Sequence, residues 1–124
     1  MILAIVDDLL FRGKLEAAAA QLGAPLTIAA DAGSVPRNGP PWSRVLIDLN
    51  LSRGDALAII RDLPAAHPGM PMVGYCSHVQ RDLQQQALAA GCTTVLARSA
   101  FVQQLPELLQ SSGSLEDTIP NTPK

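Results

Sequence analysis

The chain has 124 residues, 48% of them hydrophobic and 16% charged, with a formal net charge of -2. That length suits one domain with its own core, and the apolar fraction excludes a wholly disordered chain. The slightly acidic balance, with four aromatics (Phe11, Trp42, Tyr75, Phe101), argues against a broad grip on nucleic acid.

Ile2 to Val6 is a continuous apolar run, as expected of a strand buried on both faces, and it stops at Asp7-Asp8. Leu9, Phe11, Leu15, Ala18 and Leu22 fall near helical spacing and predict a helix over 9–22, stopped by Gly23. Pro25 to Ala30 reads as a second strand. Gly33 to Pro41 holds three prolines and two glycines. It can form a loop or at most one turn, since an interior proline costs a helix about 3 kcal/mol. Arg44 to Ile47 is a third strand, ending at Asp48. Ala56 to Leu63 predicts a short helix and Met70 to Cys76 a fourth strand. Gln80 to Ala90 predicts a helix stopped by Gly91, and Thr93 to Ala97 a fifth strand. Ala100 to Gln110 predicts a last helix that Pro106 should bend or shorten. From Ser111 to Lys124 the chain is polar and reads as a mobile tail, which makes 1–110 the domain.

Strands alternating with helices predict an α/β fold: a five-stranded parallel sheet between two helical layers, flavodoxin-like, with the second helix shortened or absent. Ligand sites in such folds lie at the carboxyl ends of the strands. Here those ends carry Asp7-Asp8, Asp48, Cys76-Ser77-His78 and Arg98. One acid at a strand end is usually a solvated cap; three brought together by topology point to a site.

Other features carry less. Cys76 and Cys92 are too few for a disulfide scaffold and lack metal-ligand spacing, and Cys92 should sit at the far end of the sheet from Cys76. His78 reads as a loop residue capping the next helix, and His67 as solvated. Trp42 suits a lid over the core or an exposed anchor equally. No nucleotide-type phosphate loop occurs. No apolar run reaches membrane-spanning length, and the start, lacking a basic residue before the apolar run, is a poor signal peptide. A cytoplasmic location is expected.

The order of these residues resembles the receiver domains of two-component response regulators, the chemotaxis-type fold. Ile5-Val6-Asp7-Asp8 is similar to the family's opening acids. Leu46-Ile47-Asp48-Leu49-Asn50-Leu51 is similar to its acceptor strand and loop. Ala90-Gly91-Cys92 is similar to its Ala-Gly-Ala, and Arg98 stands where a lysine is usual. The resemblance covers residues 2 to about 110. It implies that Asp48 accepts a phosphoryl group. It also implies that Asp8, Asp48 and the Asn50 carbonyl hold Mg²⁺ directly, with Asp7 reached through water.

The departures are specific. Counting five residues from Pro71 or fifteen back from Gly91 puts Cys76 at the family's switch hydroxyl, with Ser77 its neighbour; a one-residue shift in the loop would bring Ser77 in. A thiol is a weak hydrogen-bonding group. Arg98 keeps the lysine's charge but is longer and planar, and could instead pair with Asp48 or Asp7. Ser99 replaces the proline after the lysine, and Val95 stands where a switch Tyr or Phe is common. The resemblance implies a single-domain signalling protein rather than an enzyme. Its partners would be a histidine kinase or phosphotransfer protein, and a downstream protein bound through about Gln80 to Gln110, with no direct nucleic-acid or membrane partner. Self-association into a weak homodimer stays open. So does a pseudo-receiver that binds partners without phosphorylation. A small metal-dependent hydrolase is the remote alternative, because Asn50 cannot serve as a proton donor two residues after the acceptor.

Overall fold

The computed structural model describes residues 1–36, 42–52, 54–66, 69–77 and 80–110. The tail from Ser111, His67, His78 and part of the proline-glycine segment lie outside the described residues.

The strands are β1 (Ile2–Ile5), β2 (Leu26–Ala29), β3 (Arg44–Asp48), β4 (Met72–Cys76) and β5 (Thr94–Ala97). They pair in parallel in the order β2-β1-β3-β4-β5. The helices are α1 (Leu9–Leu22), α2 (Ala56–Ala66), α3 (Arg81–Ala90) and α4 (Arg98–Leu109). Because side chains alternate along a strand, the sheet feeds two cores. Ile2, Ala4, Leu46, Val73 and Tyr75 meet α1 and α4 on one face. Leu3, Ile5, Val45, Ile47, Met72 and Cys76 meet α2 and α3 on the other.

Local signals explain most boundaries. Asp8 caps α1, and Gly23 ends it at φ 65°, a left-handed conformation that glycine adopts without strain. Between β2 and β3 the described helical structure is one 3-10 turn, Ala32–Ser34, capped by Asp31. Trp42 and Val35 pack against the core of that face, and Trp42 is only 5% exposed. Trp42 is therefore a lid over the core, not an exposed anchor.

Several strand ends shift by a residue from expectation, β4 begins at Met72 rather than Met70, and α2 and α4 also differ at their ends. α2 continues past Leu63 to Ala66, and α4 runs through Pro106 to Leu109. A proline that near a helix end removes one hydrogen bond without ending the helix. At its other end, α4 begins at Arg98, two residues earlier than Ala100. A proline at 99 would disfavour helical backbone at 98; Ser99 does not, so the helix takes in Arg98. Beneath the sheet, buried Arg44 donates to the Leu108 carbonyl at the C-terminal end of α4, a favourable place for a cation.

Candidate functional site

The topology brings the ends of β1, β3, β4 and β5 to one edge. Asp8 follows β1, and its Oδ1 accepts from the backbone N–H groups of Leu10 (3.0 Å) and Phe11 (3.3 Å). Asp7 Oδ1 accepts from the Ser52 hydroxyl (3.0 Å) and the Ser52 N–H (3.3 Å). Asp48 is the last residue of β3 and only 2% exposed. Its Oδ1 accepts from the Asn50 N–H at 2.8 Å. Its Oδ2 lies 4.0 Å from Arg98 Nη2, an ion pair at the limit of contact.

Burial pushes the Asp48 carboxyl above its ordinary range, and the charges of Asp7 and Asp8 push the same way. The Asn50 N–H and Arg98 pull it down without cancelling that shift. The site thus holds a carboxylate that added positive charge would favour. Hard carboxylate and carbonyl oxygens are the donors that Mg²⁺ or Ca²⁺ takes, so the donor chemistry fits such an ion. The geometry is not that of a ready cage: among the described residues, no three His, Cys, Asp or Glu side chains group as metal ligands. Asp7 and Asp8 share the edge with Asp48, but each spends an oxygen on Ser52 or on the start of α1.

Arg98 is placed by aromatic rings as well as by charge. Its guanidinium carbon sits 5.1 Å from the Phe11 ring centroid and 5.9 Å from that of Tyr75. Tyr75 stacks on Phe101 at 4.3 Å and meets Phe11 at 5.0 Å. Asp48 and Tyr75 are register partners on adjacent strands. Alternation puts them on the same face as Leu46 and Val73, the face of α1 and α4.

The same alternation sends Cys76 the other way. It is 2% exposed in the α2–α3 core, with Sγ 4.0 Å from the Leu96 carbonyl. Its side chain does not share the Asp48 face. Ser77 stays at the edge, where its N–H (2.8 Å) and hydroxyl (3.3 Å) both donate to Asn50 Oδ1. The Asn50 amide also donates to Gln80 Oε1 at 3.1 Å, tying the loop after β3 to the residue that precedes α3. Val95 packs against the α2–α3 core. Cys92 is buried in that core too, and neither cysteine is in a disulfide. Sequence reasoning missed three participants. Ser52 carried no motif, and Phe11 and Tyr75 entered only as aromatics and as parts of a helix and of a strand. Only the face parity of β3 and β4 would have put Tyr75 beside Asp48.

The chain aligns with solved structures over nearly its full length. One is a response regulator from Burkholderia pseudomallei, described with a phosphorylated aspartic acid and a calcium ion. It has TM-score 0.76 and 20% identity, over 98% of this chain and 72% of that one. The fold is that of receiver domains. The receiver domain of NtrX from Brucella abortus aligns with TM-score 0.74 and 20% identity, over 98% and 99% of the two chains. The receiver domain of a sensor histidine kinase from Pseudomonas aeruginosa, solved with magnesium in its active-site cleft, gives TM-score 0.73 and 22% identity over 88% and 93%. No family model and no curated protein matches the sequence. On the receiver fold, Asp48 stands at the end of the third strand in sequence and Arg98 directly after the fifth.

Proposed function

We propose that this chain is a receiver-type signalling domain that accepts a phosphoryl group on Asp48 from a histidine kinase or phosphotransfer protein and acts by binding a downstream protein. The observation that carries the reading is Asp48 itself. It is a buried carboxylate at a strand end, flanked by Asp7 and Asp8 and faced by Arg98. An Asp48 oxygen would attack the donor's phosphorus. The new O–P bond forms as the donor's bond to phosphorus breaks, and the leaving group departs with that electron pair. Asp8, Asp48, the Asn50 carbonyl and, through water, Asp7 would hold a divalent cation. When bound, that cation would offset the charge gathered as the dianion approaches. Arg98 would receive the phosphoryl oxygens by charge-assisted hydrogen bonds.

Output would run through about Gln80 to Gln110, which carries partly exposed Leu88 and Val102. Val95 cannot make the inward–outward swing of an aromatic, so the response of that face should be partial. A second reading, a pseudo-receiver, is favoured by one observation: Arg98 already faces Asp48 in the unmodified chain. Acetyl phosphate with Mg²⁺, followed by intact mass, separates the two. One phosphoryl added to the wild type and none to Asp48→Asn supports the acceptor; no addition to the wild type supports the pseudo-receiver.

A further inference from the structure

Two buried donors on the Asp48 face of the sheet have no hydrogen-bond partner among the described residues: the Tyr75 hydroxyl and Arg98 Nε. A buried donor without an acceptor costs free energy, so a native fold that keeps two of them together needs an explanation. Tyr75 as a residue is 1% exposed. It is the register partner of Asp48, shares its face, and lies within cation–π reach of the guanidinium that pairs with Asp48. Phe11 and Phe101 clamp its ring, so it has little freedom to seek a partner elsewhere. Meanwhile Cys76 is turned into the opposite core.

The geometry points to Tyr75 as the hydroxyl donor of this site: an anionic oxygen ligand carried on Asp48 accepts from Tyr75 and from Arg98, on the α1–α4 face, and Cys76 takes no part. This rests on the acceptor reading of Asp48. It also explains why the thiol is tolerated: the position it occupies does not face the ligand. Burial, and after it the charge of Asp48, hold the hydroxyl protonated, so it remains a donor at neutral pH. Tyr75 thus positions the bound oxygen by donating a hydrogen bond, and it keeps its proton.

The chain has a single tyrosine, which gives a clean probe. The full chain, labelled at the tyrosine ζ-carbon, is titrated with beryllofluoride in Mg²⁺. The single ζ-carbon resonance should move on adduct formation and stay in place with Mg²⁺ alone. Tyr75→Phe keeps the ring stack and should weaken the beryllofluoride adduct about tenfold or more, as loss of one hydrogen bond to a charged group does. Cys76→Ala should leave adduct affinity unchanged. A wild-type adduct with an unmoved tyrosine signal and equal affinity in Tyr75→Phe overturns the inference and spares the acceptor reading. Affinity lost in Cys76→Ala but kept in Tyr75→Phe restores the hydroxyl position to residue 76 and also overturns it. No adduct on the wild type removes the acceptor reading and this inference with it.

Discussion

Deleting the Tyr75 hydroxyl should stabilise the ligand-free protein. Tyr75→Phe removes one oxygen and leaves the ring between Phe11 and Phe101, at 5.0 Å and 4.3 Å. The oxygen is buried and has no hydrogen-bond partner among the described residues. Burying an unpartnered hydroxyl costs about 1–3 kcal/mol, and that cost disappears in phenylalanine. Against it stands a void smaller than a methyl group, worth at most about 1 kcal/mol. The net expectation is a gain of about 1 kcal/mol, or about 4 °C in melting temperature for a domain of this size. Urea unfolding followed by the fluorescence of Trp42, the single tryptophan, gives the number. The midpoint should rise while the slope stays constant, which marks a change in stability alone. A midpoint lowered by the equivalent of 1 kcal/mol would refute the reasoning, because it would mean the hydroxyl is hydrogen-bonded in the ligand-free protein.

Asp48→Asn should also stabilise the protein, in a pH-dependent way. Burial raises the folded Asp48 pKa above its ordinary 3.8, so the folded state holds that proton more tightly than the unfolded state. The resulting stability is complete below 3.8 and is lost as pH rises through the folded value, so Asp48→Asn should gain on the wild type across that rise. A difference independent of pH, read from melts at acid and neutral pH, would contradict the burial argument. Millimolar Mg²⁺ should raise the melting temperature of the wild type but not of Asp8→Ala, whatever the lost α1 cap costs at baseline; equal responses would show that the acids do not bind the ion. Gly74→Ala should lower the urea midpoint, because its new Cβ would lie 3.1 Å from Cys92 Sγ and from Leu49 Cδ2, side-chain ends that must give by a few tenths of an ångström within a close-packed core. An unchanged midpoint would show that Leu49 repacks freely.

The sheet was legible because both of its faces are covered. Ile2 to Ile5 and Arg44 to Asp48 are buried at every position, and only a strand covered on both faces needs an unbroken apolar run. Gly23 and Gly91 were legible as stops, since both adopt positive φ where a helix ends. The reach of α4 was harder to see. Arg98 counts as the end of a strand or the start of a helix according to whether Ser99 frees its backbone, and the same residue scores for both. Trp42 was ambiguous because its burial depends on the core residues it meets from distant parts of the chain, a tertiary fact that leaves no local mark. Ser52 was invisible because one exposed hydroxyl in a loop carries no periodicity; only the return of that loop to Asp7 gives it a role.

Face parity decides the chemistry of this edge. A family pattern assigns a role by counting along the chain, and counting puts residue 76 at the hydroxyl position. A strand delivers side chains to alternate faces, so neighbours such as Tyr75 and Cys76 enter different cores. Asp48 lies on the Tyr75 side, and so do the ring faces that hold Arg98. Ser77 lies just past the strand end, and Asn50 holds it. For Ser77 to reach a ligand on Asp48 it would have to leave Asn50, whereas Tyr75 need form only the bond its hydroxyl now lacks. A site assembled this way exchanges the mobile hydroxyl of a switch for a fixed donor. Ligand binding on Asp48 would then tighten the α1–α4 face and displace little around α3 and β5.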